Sequence, residues 1–77
     1  MNTAPALIFV IEDELSIARL VQSVLVEFGF EVECFHTGAS ALRRLAVRRP
    51  DLCITDLGLP DMDGIDLVRQ ISQQCPC

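Results

Sequence analysis

Five consecutive apolar residues, Leu7-Ile8-Phe9-Val10-Ile11, constrain the fold of this chain more than any other feature. Such a run suits a strand buried on both faces, as found in parallel sheets covered by helices, whereas a strand with one wet face would alternate. From Leu15 the period changes. Ile17, Leu20, Val21, Val24, Leu25 and Phe28 recur at steps of three and one, tracing one face of a helix, and Gly29 supplies a stop. A strand over residues 7–11 (β1) and a helix over 15–28 (α1) are therefore expected.

The same alternation continues. Glu31-Val32-Glu33-Cys34-Phe35 alternates polar and apolar, as in a strand near a sheet edge (β2, residues 31–35). Thr37 can cap a second helix (α2, residues 38–48), whose Ala41, Leu42, Leu45 and Ala46 form an apolar stripe. Arg43, Arg44, Arg48 and Arg49 are expected to form its solvated face. Pro50 breaks that helix, and Leu52-Cys53-Ile54-Thr55 reads as a short buried strand (β3, residues 52–55). After the loop Leu57 to Asp63, Ile65, Val68 and Ile71 mark a third helix (α3, residues 64–74) that stops before Pro76. Strands and helices alternating in this way imply right-handed crossovers and a doubly wound parallel α/β sheet.

At 77 residues the chain has room for one small domain, and 51% hydrophobic residues give it a globular rather than a disordered profile. Six arginines, no lysine and eleven acids leave a net charge of −5, which opposes direct contact with a nucleic-acid backbone. The run Ala6 to Ile11 is too short to cross a bilayer and lacks a basic segment before it, so a cytoplasmic location and no membrane contact are expected. Cys34 and Cys53 fall within strands, where a thiol acts as a small hydrophobe; Cys75 and Cys77 form a C-x-C without a second half-site.

Chemistry concentrates in the acids. Ligands gather at the carboxyl ends of strands in open α/β sheets, and Glu12, Asp13 and Asp56 all follow such ends. If β1 and β3 are neighbours, the three carboxylates converge, and each raises the pKa of the next unless a cation intervenes. Hard oxygen ligands with room for water and a phosphate favour Mg²⁺. Capping of α1 is the structural alternative for Glu12, Asp13 and Glu14, but capping needs one acid and leaves Asp56 unexplained. In the loop, Pro60 reads as a stiffener and Gly64 as a point of close approach; Asp61 and Asp63 are candidates for supporting the site from outside, but turn propensity and capping explain them adequately, and no role is assigned to Thr55 or His36.

Ile8-Phe9-Val10-Ile11-Glu12-Asp13-Glu14, followed by Asp56-Leu57-Gly58-Leu59-Pro60-Asp61-Met62-Asp63-Gly64, resembles the receiver domain of two-component response regulators. Either motif alone is weak, but both together at this separation are specific. The resemblance implies a flavodoxin-like (CheY-like) sheet, Asp56 as phosphoacceptor and nucleophile, and Glu12 and Asp13 as the acidic pair on Mg²⁺. It also implies Gly58 as a further metal ligand through its backbone carbonyl, and a sensor histidine kinase as the partner. A DNA-binding transcriptional regulator is the expected parent.

Receiver domains continue with two further strands carrying a Ser or Thr and a Lys, and neither segment is in this sequence. The fold is thus expected to be incomplete (β1-α1-β2-α2-β3-α3), with β3 an open edge prone to self-association. Two other readings compete. One is a receiver-like binding module that engages a kinase or regulator without completing phosphotransfer, which the missing Lys and Thr would favour; the other, a Mg²⁺-dependent phosphotransferase on small molecules, lacks a substrate-pocket motif.

Overall fold

A computed structural model describes residues 5–74, so Cys75 and Cys77 lie outside the described residues. The elements are β1 (Leu7–Ile11), α1 (Leu15–Glu27), β2 (Glu31–Phe35), α2 (Gly38–Leu45), β3 (Leu52–Thr55) and α3 (Gly64–Gln74). The three strands form one parallel sheet in the order β2-β1-β3. All five residues of β1 are buried, because it is the central strand and both of its faces are covered. Leu7, Phe9 and Ile11 share a core with Ala41 and Leu45 of α2, Leu59, and Leu67 and Ile71 of α3. Phe35 meets Phe9 edge to face there, with ring centroids 4.8 Å apart. The alternate residues Ile8 and Val10 point to the other side, where α1 lies over β2 and β1 and buries Ala18.

Helix α1 ends one residue before the stripe does. Phe28 is the cap, Gly29 takes φ 91°, the Gly29 amide donates to Val26 O at 3.0 Å and the Phe30 amide to Leu25 O at 3.1 Å. This left-handed turn satisfies the last carbonyls, and glycine adopts it without strain. Helix α2 stops at Leu45 rather than running to residue 48. The amides of Val47 and Arg48 both donate to Arg44 O at 2.9 Å, a tight turn that brings the chain back so that the Asp51 amide reaches Leu7 O. Thr37 caps α2 as its position suggests, its hydroxyl oxygen accepting from the Ser40 amide at 3.2 Å.

Two expectations about surface and core need correction. Arg44 and Arg48 are not simply solvated. Arg44 grips both carboxylate oxygens of Glu33, and Arg48 lies 2.6 Å from Glu31 and 2.9 Å from Glu33, so the end of α2 is fastened to edge strand β2. Arg43 and Arg49 do stay exposed. The β2 glutamates can reach these arginines because strand alternation puts them on the α2 side of the sheet.

The second correction concerns β3, which is the open edge expected but is not a buried strand. Leu52 and Ile54 are 53% and 39% exposed, since they pair with Ile8 and Val10 on the α1 side, and α1 covers β1 and β2 instead. Part of the α1 stripe is open as well, with Leu20 at 65% and Phe28 at 76%.

The arginine network sets an acid limit on stability. Hydrogen bonding from Arg44, with Arg48 adding to it, holds the Glu33 carboxyl below its ordinary range, and Arg48 does the same for Glu31. A carboxyl depressed in the folded state stabilises the fold fully above its unfolded pKa and loses that contribution as pH falls through the folded value. Circular dichroism against pH should therefore show Arg48→Met unfolding at higher pH than the parent chain. Identical acid midpoints would mean that the pairs add nothing.

Candidate functional site

Chain direction in a parallel sheet brings every strand's carboxyl end to one edge. The Asp56 amide donates to Ile11 O at 3.0 Å and the Glu12 amide to Phe35 O at 2.8 Å, continuing the ladders one residue past β3 and β1. These bonds fix the backbones from which Glu12 and Asp56 project. Carboxylate oxygens of Glu12, Asp13 and Asp56 lie within 4.8 Å of one another, Asp13 exposed and the other two partly so.

The Glu12 carboxylate accepts from the Glu14 amide at 3.1 Å, which lowers its pKa. Desolvation and the nearby charges of Asp56 and Asp13 outweigh that bond, and the carboxyl stands above its ordinary value. Capping does not account for the cluster. Glu14 is the N-cap of α1, and its side chain makes no capping hydrogen bond.

Among the described residues, none of the ion pairs involves Glu12, Asp13 or Asp56. Three carboxylates with solvent access and no arginine paired to them are a donor set suited to a hard divalent cation that keeps some of its water. Gly58, two residues beyond Asp56, donates its amide to Asp56 Oδ1 at 3.3 Å and forms an isolated bridge with Asp63. A Cβ at Gly58 would meet nothing within 4 Å, so sterics do not demand glycine there.

Other loop residues have structural work. Asp63 accepts from the Ile65 amide at 2.9 Å and starts α3, as its position before the helix suggests. Gly64 approaches the backbone of Asp56 and Leu57 closely. Sequence reasoning missed two contacts. His36 Nδ1 lies 3.0 Å from Glu12 O and must be the donor, because a carbonyl can only accept. Asp61 accepts from the Gly38 amide at 2.8 Å and the Ala39 amide at 2.9 Å, joining the loop after Asp56 to the start of α2. Both partners are more than twenty positions away, so no local pattern signals them. The apolar cleft lined by Leu52, Cys53, Val68 and Ile71 belongs to the open β3 edge, not to the acids.

Residues 8–76 match the family model described as the response regulator receiver domain. The chain is 48% identical over 62 residues to the transcriptional regulatory protein KdpE of Mycobacterium tuberculosis, covering 80% of this chain and 27% of that protein. It is 39% identical to the alkaline phosphatase synthesis transcriptional regulatory protein PhoP of Bacillus subtilis, covering 87% of this chain and 28% of that one. Among solved structures, the signal receiver domain of an HD domain-containing protein from Pseudomonas fluorescens Pf-5 superposes with TM-score 0.91 at 30% identity, covering 99% of this chain and 56% of that one. A CheY-like receiver domain from Methylobacillus flagellatus gives TM-score 0.84 at 30% identity, covering 87% and 57%. The chain thus spans little more than half of the matched receiver structures and under a third of the matched regulators.

Proposed function

Since the chain belongs to the response-regulator receiver family, we propose that Asp56 accepts a phosphoryl group from the phosphohistidine of a sensor histidine kinase. The observation that carries this reading is the convergence of Glu12, Asp13 and Asp56 at the carboxyl ends of adjacent strands. An Asp56 carboxylate oxygen attacks phosphorus, the new O–P bond forms, and the P–N bond breaks with its electron pair returning to the imidazole. Glu12, Asp13, Asp56 and the Gly58 carbonyl would hold Mg²⁺. When bound, the ion offsets negative charge on the transferring oxygens. The role is that of a signalling acceptor: the aspartyl phosphate is the signal, not an intermediate in turnover of an external substrate.

By analogy with the regulators it resembles, the domain serves transcriptional control, with DNA contact left to other segments, and acts in the cytoplasm alongside kinase catalytic domains. No helix among the described residues is long and apolar enough to cross a membrane. Incubation with acetyl phosphate and Mg²⁺ should add one phosphoryl group by intact mass, and a chelator should prevent it. Capture of a histidine kinase without any mass gain would assign the chain instead to a binding module.

The exposed Leu52 and Ile54 on edge strand β3 support self-association in addition. Sedimentation velocity should show concentration-dependent association that Ile54→Lys suppresses. A monomer throughout would count against the edge as a contact surface.

A further inference from the structure

The loop that follows Asp56 is docked on the start of α2 in two ways. Asp61 takes the Gly38 and Ala39 amides, one on each carboxylate oxygen, and Met62 lies so close to Gly38 that a Cβ there would sit 2.5 Å from the Met62 sulfur. Gly38 is buried and Met62 packs on the main core, so the loop is held against a fixed element rather than hung from its ends. His36, two residues before Gly38, completes a brace. His36 donates to Glu12 O, while the amides two and three positions later hold Asp61. The β2–α2 connection therefore touches both arms of the acidic site, the β1 corner through His36 and the β3–α3 loop through Asp61.

From this we infer that Asp61 is a positioning residue for phosphoryl acceptance: by clamping loop 57–63 to α2 it fixes Gly58 and the Asp56 carboxylate in the arrangement that Mg²⁺ requires. The inference deepens the proposed function and rests on it. Asp61 itself needs no contact with metal or phosphate. Both hydrogen bonds lower its pKa, Gly38 first and Ala39 next, so the clamp persists at neutral pH.

Thr37 provides the control, because it caps the same helix end but bonds within its own segment, to Ser40. Mg²⁺ alone is the probe, titrated into the chain and followed by amide chemical shifts. Asp61→Ala should weaken Mg²⁺ binding by about tenfold, the lower end of what losing an outer support of a metal site costs. Thr37→Ala should leave the affinity within about twofold, since it loses only a helix cap. Asp61→Asn keeps one acceptor and should fall between, which separates the clamp from a simple effect of charge. It also stands in should Asp61→Ala not fold.

Amide exchange without metal gives a second reading. Gly58 and Gly64 should exchange faster in Asp61→Ala than in Thr37→Ala. Equal affinity loss in Asp61→Ala and Thr37→Ala, or equal loss in Asp61→Asn and Asp61→Ala, overturns the inference. If the parent chain binds no Mg²⁺, the metal site fails, and the exchange comparison still decides the clamp: unchanged Gly58 protection in Asp61→Ala rejects it.

Discussion

Asp56→Asn is expected to abolish phosphoryl uptake from acetyl phosphate while making the metal-free chain more stable. An amide oxygen is a poor nucleophile and cannot form an acyl phosphate, so the loss should be at least about a thousandfold, as for removal of other covalent nucleophiles. The stability gain has a separate cause. Asp56 is one of the charges that raise the Glu12 pKa, and its oxygens lie within 4.8 Å of those of Glu12 and Asp13. A like-charge pair at that separation in a largely solvated setting repels by about 1 kcal/mol, less once salt screens it. Neutralising Asp56 should therefore lift the urea midpoint slightly without Mg²⁺ and move the Glu12 pKa back towards its ordinary value. With saturating Mg²⁺ the order should reverse, because a ligand that binds only the folded state stabilises the parent chain more than a variant missing one of its carboxylates. Uptake that persists in the variant would place the acceptor elsewhere. A midpoint that does not rise would mean the acids relax apart when no cation holds them.

The acids were legible in the sequence while much around them was not. Glu12 and Asp13 announce themselves because they break a run of five apolar residues at the end a parallel sheet presents to ligands. Their convergence with Asp56 depended on β1 and β3 being neighbours, which the strand order supplies. Periodicity worked where burial is decided by the element itself, as in central β1. It misjudged β3, because exposure of an edge strand depends on which helix lies over it. The arginines of α2 look like a wet face in sequence, yet two of them find glutamates on β2 through register alone. Asp61 looked like a turn residue, and only the fold places it against amides 22 and 23 positions away. Local pattern thus identifies the groups that carry charge, and tertiary geometry determines which groups hold them in place.

Gly64→Ala should be the most damaging single-methyl change near the site. A Cβ on Gly64 would stand 2.5 Å from Leu57 Cα and 2.6 Å from the Asp56 carbonyl oxygen. Both are backbone atoms, so no side chain can swing aside; either α3 retreats or the loop after Asp56 moves. The Gly64 amide donates to Leu57 O at 3.0 Å, and a retreat lengthens that bond as well. Overpacking of this kind costs about 1–3 kcal/mol, against which the better helix propensity of alanine returns at most about 1 kcal/mol. The net effect is destabilising, and because the displaced atoms belong to Asp56 and Leu57, Mg²⁺ binding should weaken along with the urea midpoint. Gly58→Ala is the matched control. Its Cβ meets nothing within 4 Å, and the change should stay within about 0.5 kcal/mol of the parent chain. Gly58 lies nearer in sequence to Asp56 than Gly64 does, so proximity alone predicts the opposite order. Equal midpoints for the two variants would show that the loop has enough slack to absorb the methyl, and close backbone approach would no longer account for glycine at position 64.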